Sequence, residues 1–299
     1  MIRAATLHAL GLALACSGLS GCIIVSTRDS DQQRYSETRT MRLPVASGSA
    51  VDVEGRNGSI EINAAEGAEA VVIATISARS QARVDNAALR AETVGERLTV
   101  RVDWPDGGAR SGDAVSFQIR TPAPRGVRAL TTNGRVTLRD TAGEAEIDTT
   151  NAGVRVSQHA GDLIAETSNG SIDARDVGGS VEATTTNGSV DLNNIAGRAI
   201  ATSSNGPISV QLAPTSPGPV RVRSSNGPID LTLGSAFVGE LRLSTSNGRI
   251  RVTGAGTDES SSGVRVVRVG EGGAASEAAT SNASITVTVA TPVPAGSGQ

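Results

Sequence analysis

Acidic residues recur at fixed spacing in this chain: Asp173 and Asp191 stand 18 residues apart, and Asp230 shares their column further on. Stacked carboxylates can hold a cation, and converging ones can act as general acid and base in cleaving a polysaccharide. The same column also contains Thr137, Arg155, Ser209 and Arg251, which interrupts any continuous acid site. The acids alternate with apolar neighbours and are therefore expected to face solvent. His159 is the one histidine beyond the first 21 residues and shares a column with Thr141, Val177 and Ile195. It reads as a structural or corner residue, with no cysteine partner and no histidine cluster for zinc. No Gly-x-Ser-x-Gly nucleophile motif occurs. The expectation is a protein that is not an enzyme, with no catalytic residue, metal site or cofactor. Nucleic acid is also excluded as a partner. All 27 basic residues are Arg without a basic run, the formal net charge is −3, and Tyr35, Trp104, Phe117 and Phe237 are the only aromatic residues.

The elements that must position these residues repeat. Asn133, Asn151, Asn169, Asn187 and Asn205 are spaced by 18, Asn226 and Asn247 follow at spacings of 21, Asn282 lies 35 further on, and Asn57 marks an outlying copy. Most precede Gly, and Ala152 and Ala283 take its place at two stations. Three and five residues after each Asn stand apolar side chains, as in Ile172 and Ala174 or Val190 and Leu192. Four before stand Ala165 and Ala183 or their equivalents, and two before stand Thr167, Thr185 or Ser203. Period-two alternation on both flanks means two short strands per unit, each with one buried face. A second corner falls ten residues after the Asn, at Gly143, Gly161, Gly179 and Gly197.

A flat meander of Asn-Gly hairpins would leave a long apolar face that nothing else in the chain could cover. Closing each unit on itself buries that face and stacks equivalent residues about 4.8 Å apart. The fold class expected is all-β: a single-stranded β-solenoid with rungs of roughly 18–21 residues and an elaborated N-terminal β portion. The Asn residues would form a turn ladder, the Gly would supply a corner with positive φ, and the Thr/Ser column could form a ladder of hydroxyls. Trp104 and Phe117 are expected as cap or core residues near the first regular rung.

Residues 1–21 read as an export signal, with Arg3 before the apolar stretch Leu7–Ala15. The following Leu19-Ser20-Gly21-Cys22 resembles the bacterial lipobox. That resemblance implies a lipidated Cys22 as mature N-terminus, a membrane partner reached through the lipid anchor, and an outer-membrane location in a Gram-negative envelope. Residues 22–40 read as the lipidated cysteine and a flexible tether, 41–290 as the adhesin-like solenoid domain, and 291–299 as a disordered tail.

The entry Thr121–Leu138 and the serial Thr-x-Asn-Gly-x-Ile-x-Val rungs resemble the "putative bacterial adhesin" β-strand repeat family, a domain of unknown function, over roughly residues 45–290. The resemblance implies the fold and brings no catalytic residues. Insertions at 213–219, 234–240, 254–263 and 270–278 follow the second strand of their units and are the candidate partner-binding loops, with Phe237, Asp258 and Glu259 as the residues to watch. The expected function is that of a non-enzymatic, lipid-anchored envelope protein binding a protein or glycan. A polysaccharide-active β-helix enzyme and an envelope scaffold or sensor without external ligand are the alternatives.

Overall fold

A computed structural model describes residues 23–29, 34–254 and 259–290. The expectations for the signal segment, Cys22, Asp258 and the tail at 291–299 lie outside the described residues. Among those described the chain is all-β, apart from a short helix, Gln81–Asp85, and a 3₁₀ turn, Pro105–Gly107. No helix of the described residues is long and apolar enough to cross a membrane.

Two parallel ladders organise the repeats. The strands after each Asn form the first: Val154 pairs with Ile172, Ile172 with Val190, Val190 with Ile208 and Ile208 with Ile229. The strands before each Asn form the second, with Leu163 on Val181, Val181 on Ala199 and Ala199 on Val220. The columns read from the sequence are thus registers of hydrogen-bonded strands. Their apolar members, among them Ile172, Ala174, Val181, Ala183 and Leu192, are buried in one continuous core, and so is the Thr/Ser column. Small and β-branched side chains suffice because the two ladders of one repeat lie close enough for them to meet.

A feature without a glycine signal shapes four successive repeats. Asp140, Gln158, Asp176 and Asn194, also spaced by 18, adopt left-handed φ values of 54 to 57°. In the strand Ile172–Val177 this places Arg175 and Asp176 outward in succession and returns Val177 to the core. Asp and Asn are among the residues that tolerate this conformation best.

The Asn-Gly corners differ from expectation in their cause. Gly134, Gly170, Gly188, Gly206, Gly227 and Gly248 do not have positive φ. The reason for Gly is space. A Cβ at Gly188 would lie 1.8 Å from the carbonyl oxygen of Gly170 in the adjacent repeat, and one at Gly206 would lie 1.9 Å from that of Gly188.

Chain order is broken at both ends of the ladders. Ile60–Ala65, the outlying copy, pairs with Val136–Thr149 on one side and with Ala114–Pro122 on the other. Ile60 stands opposite Phe117, which is fully buried, so Phe117 is a core residue as expected. Glu69–Ala78, Arg34–Pro44 and Ile23–Asp29 then follow in antiparallel pairing. The flexible tether expected over 22–40 is therefore corrected where described. Arg34–Pro44 is a full strand, fixed by a buried Glu37 bonded to Arg39 at 2.7 Å and by Arg39 bonded to the Val84 carbonyl at 2.9 Å. Such polar contacts leave no apolar periodicity to read.

At the other end the last repeat is inserted. Ser276–Thr280 pairs with Val220–Ser224 and with Gly239–Thr253, and Ile285–Val289 lies between Ile229–Leu233 and the far half of Gly239–Thr253. The final repeat in sequence is thus the penultimate one in space. Glu259–Val269, expected to lie partly in an insertion, runs antiparallel along Gly239–Thr245 and Ile250–Val252 and closes the end.

Gly188→Ala should destabilise the protein by about 1–3 kcal/mol, because the added methyl must push two backbones apart. A lowered urea midpoint with far-UV circular dichroism retained is the expected result.

Candidate functional site

The expected turn ladder is continuous and includes all nine Asn stations. Nδ2 of Asn151 donates to Oδ1 of Asn133 at 2.6 Å, and the same bond joins Asn169 to Asn151, Asn187 to Asn169 and Asn205 to Asn187, each at 2.8 Å. It continues through Asn226 at 2.9 Å, then Asn282 and Asn247 at 2.8 Å, which places Asn282 before Asn247. At the opposite end Asn133 donates to Asn57, and Asn57 donates to the Asp113 carbonyl at 2.8 Å. Each inner amide is spent on its two neighbours, so the motif most suggestive of a site is scaffold. The Thr/Ser column serves the same corners in a way the hydroxyl-ladder expectation missed. Thr185 Oγ1 donates to the Gly170 carbonyl at 2.9 Å and accepts from the Gly188 amide at 3.2 Å. Ser203 repeats this on Gly188 and Gly206.

His159 is buried and structural. Its Nε2–H donates to the Asp162 carbonyl at 3.2 Å, leaving Nδ1 to accept from the Thr141 hydroxyl at 2.9 Å. Asp173 is held by Arg175 at 2.9 Å and by Arg155 at 3.5 Å, and Ser209 separates Asp191 from Asp230 in the register. No group of acids, histidines or cysteines suited to a metal ion occurs among the described residues.

The candidate loop residues are redistributed. Phe237 is 2% exposed and belongs to the core, which corrects its assignment as a contact residue. The insertions at 213–219 and 234–240 stack, through Ala236 N–H on the Pro214 carbonyl at 2.9 Å, and enlarge the corner that the Phe237 ring fills beside Gly218. Asp258 lies outside the described residues, and Glu259 begins the closing strand, opposite Val252.

The structure brings together instead a group that the columns could not reveal. An open cleft of about 450 Å³ is lined by Glu54, Arg56, Arg101, Asp103, Trp104 and the loop that follows it. It lies where the Asn ladder ends, since Asp113, the acceptor for Asn57, terminates that loop. Trp104 is half-buried, packs on the core and carries the Arg83 guanidinium 5.6 Å from its ring centroid. The loop is built around a buried ion pair. Arg83 Nε meets Asp113 Oδ2 at 2.7 Å, with the side chains 9% and 3% exposed. Arg83 also donates to the carbonyls of Pro105 at 3.3 Å and Gly108 at 2.7 Å, and Asp113 accepts the Arg110 amide at 2.7 Å. These bonds satisfy both buried charges, the condition under which such a pair survives desolvation. From the opposite wall Arg56 donates to the Ala109 carbonyl at 2.7 Å. Hydrogen bonds from Arg90 above all, with Arg101 adding, hold the Asp103 carboxyl below the usual carboxylate range against an opposing effect of burial. Asp103 is therefore an acceptor-only group. The one sequence signal for the cleft was the irregular stretch Asp103–Asp113, in which the single Trp precedes Pro, Gly and alternating charges.

No protein-family model matches the chain, so the family resemblance has no model match behind it, and no curated protein matches it. Solved structures similar to it include a "putative cell adhesion protein" from Clostridium sporogenes, 10% identical over 85% of this chain and 100% of that one, with a TM-score of 0.26. Two more are a "putative adhesin" from Bacteroides fragilis (11% identity, 85% and 97% covered, TM-score 0.34) and one from Parabacteroides merdae (11%, 85% and 96%, 0.33).

Asp113→Ala removes the buried partner of Arg83 and leaves it only the exposed Asp106 carboxylate at 3.6 Å. The expected loss is about 3–5 kcal/mol, measured by urea denaturation, with the Trp104 emission shifted to the red as the loop opens.

Proposed function

We propose that this chain is a non-enzymatic, lipid-anchored cell-envelope protein whose adhesin-like β-solenoid binds a protein or glycan partner. One observation carries the reading: the histidine, the Asn column and Asp173 are committed to structure, and the remaining acids of that column, Asp191 and Asp230, are held apart by Ser209. His159 is satisfied by Thr141 and Asp162, Asp173 by Arg155 and Arg175, and the Asn column by itself. What is left to meet a partner is a repetitive polar exterior and a built cleft at one end. The solenoid reading is supported by two parallel ladders whose registers advance by one repeat, so that each pair of strands closes a shared core.

The anchor rests on the lipobox-like Leu19–Cys22. The first described strand, Ile23–Asp29, follows directly and belongs to the antiparallel strands at the same end of the ladders as the cleft. A lipid on Cys22 would hold that end toward the membrane. With two or more acyl chains the attachment would be stable.

Cells expressing the full chain should incorporate an alkyne-palmitate label that is lost in Cys22→Ala, with the variant moving from the membrane to the soluble fraction. Equal labelling of both chains would rule out the anchor. Capture of envelope proteins or immobilised glycans by the purified chain tests partner binding directly.

A further inference from the structure

We infer that the cleft beside Trp104 is a binding site for a neutral glycan, taking a segment of about two sugar units. The inference deepens the partner-binding reading above and rests on it. The cleft volume of about 450 Å³ falls within the roughly 300–1,000 Å³ typical of small-ligand sites. Its lining matches the two chemistries of a pyranose. An indole offers an apolar aromatic surface for the C–H face of a sugar ring, and Trp104 lines the cleft, with the Arg83 guanidinium 5.6 Å from its ring centroid. The hydroxyl edge needs acceptors and donors side by side. Glu54 and Asp103 supply carboxylates, and Arg56 and Arg101 supply guanidinium N–H groups. Asp103 is kept ionised by Arg90 and Arg101, so it accepts and does not donate.

The balance of charge selects the ligand class. Two carboxylates face two guanidiniums, so the cleft offers no net attraction to a polyanion, and a neutral saccharide loses least on entering. A peptide fits less well. Strand addition needs a free sheet edge, and the edge at the cleft is short: Arg97–Val100 is paired on both sides, with Ala91–Val94 and with Ala50–Val53, which leaves only the three residues Arg101–Asp103 paired on one side.

The site is also preorganised. Arg83 and Asp113, more than nine-tenths buried, fix the loop from beneath, and Arg56 ties its outer turn to the neighbouring wall. Rigid placement of an aromatic anchor and its polar neighbours lowers the entropic cost of binding. No side chain of Gly107 or Gly108 intrudes, and the space beside each is open.

Trp104 is the only tryptophan in the chain, so its fluorescence reports on this cleft alone. The full chain is titrated with cellobiose, chitobiose, mannobiose and maltose, and with digalacturonate as the acidic comparison. The expected result is a saturable emission change with at least one neutral disaccharide. Arg101→Ala and Glu54→Ala, both at exposed positions, should each weaken it by about tenfold or more while thermal unfolding stays near wild type. No saturable change with any neutral disaccharide, a response confined to digalacturonate, or a response unaltered in both variants would overturn the inference. A parallel capture assay on immobilised glycans and envelope proteins separates the two levels. Capture that both variants retain in full overturns the cleft and leaves the partner-binding reading intact, whereas absence of any capture removes that reading as well.

Discussion

The regular part of this molecule depends on how closely each Asn-Gly corner packs on the next. From Gly134 to Gly248 the backbone of each Asn-Gly turn approaches a carbonyl of its neighbour so closely that a Cβ would stand less than 2 Å from the oxygen, as at Gly170, Gly188 and Gly206. Everything regular follows from it. Close approach brings the Asn amides within 2.6–2.9 Å of one another and lets Thr185 and Ser203 reach the carbonyl below. It also fixes the parallel register that superimposes Ile172 on Val190 and Ala183 on Ala201. A core of Val, Ile, Leu and Ala then closes without large aromatic residues, because the walls it must bridge are near each other.

A stack of this kind has two ends, and exposed strand edges invite pairing with other chains. The protein ends its parallel ladders with antiparallel strands. At one end Glu259–Val269 covers both halves of Gly239–Thr253, and its Arg268 pairs with Glu240 at 3.2 Å. At the other, Glu69–Ala78 and Arg34–Pro44 finish the first ladder, and the hairpin of Ala88–Val94 with Arg97–Asp103 finishes the second. The last repeat enters beneath the closing hairpin, bonded to Asn226 on one side and Asn247 on the other. Its columns fit that gap as well as they would fit a terminal position, so tertiary pairing of the hairpin decides the order.

Irregularity is where ligand chemistry concentrates. Along the ladders, charges sit on solvent-facing positions, and Asp173 is paired with Arg155 and Arg175. At the N-terminal end the chain leaves the repeat for the excursion between Ala65 and Arg125. There the buried Arg83–Asp113 pair supports a loop that no repeat could form. The terminal Asn57 joins the two regimes by donating to the Asp113 carbonyl.

The sequence by itself determined the strands, the buried columns, the nine Asn stations and the structural character of His159, because a repeated local pattern has one periodicity and one buried face. It also marked Phe117 as a cap or core residue. Several features were decided only by the tertiary structure. The Asn-Gly glycines serve close approach rather than positive φ, while Asp140, Gln158, Asp176 and Asn194 carry the left-handed turns. Phe237 fills a corner inside the core, and residues 34–40 form a strand by pairing with the distant segment 73–78. Asn282 stands before Asn247, and Arg56, Arg83, Arg101, Asp103, Trp104 and Asp113 meet at one cleft or in the loop behind it. The physical reason is common to all of these. Column chemistry repeats in every rung and so reports which face a residue takes, whereas neighbours across the stack, at its ends and in its excursions are set by pairings between segments far apart in the chain, which no local period records.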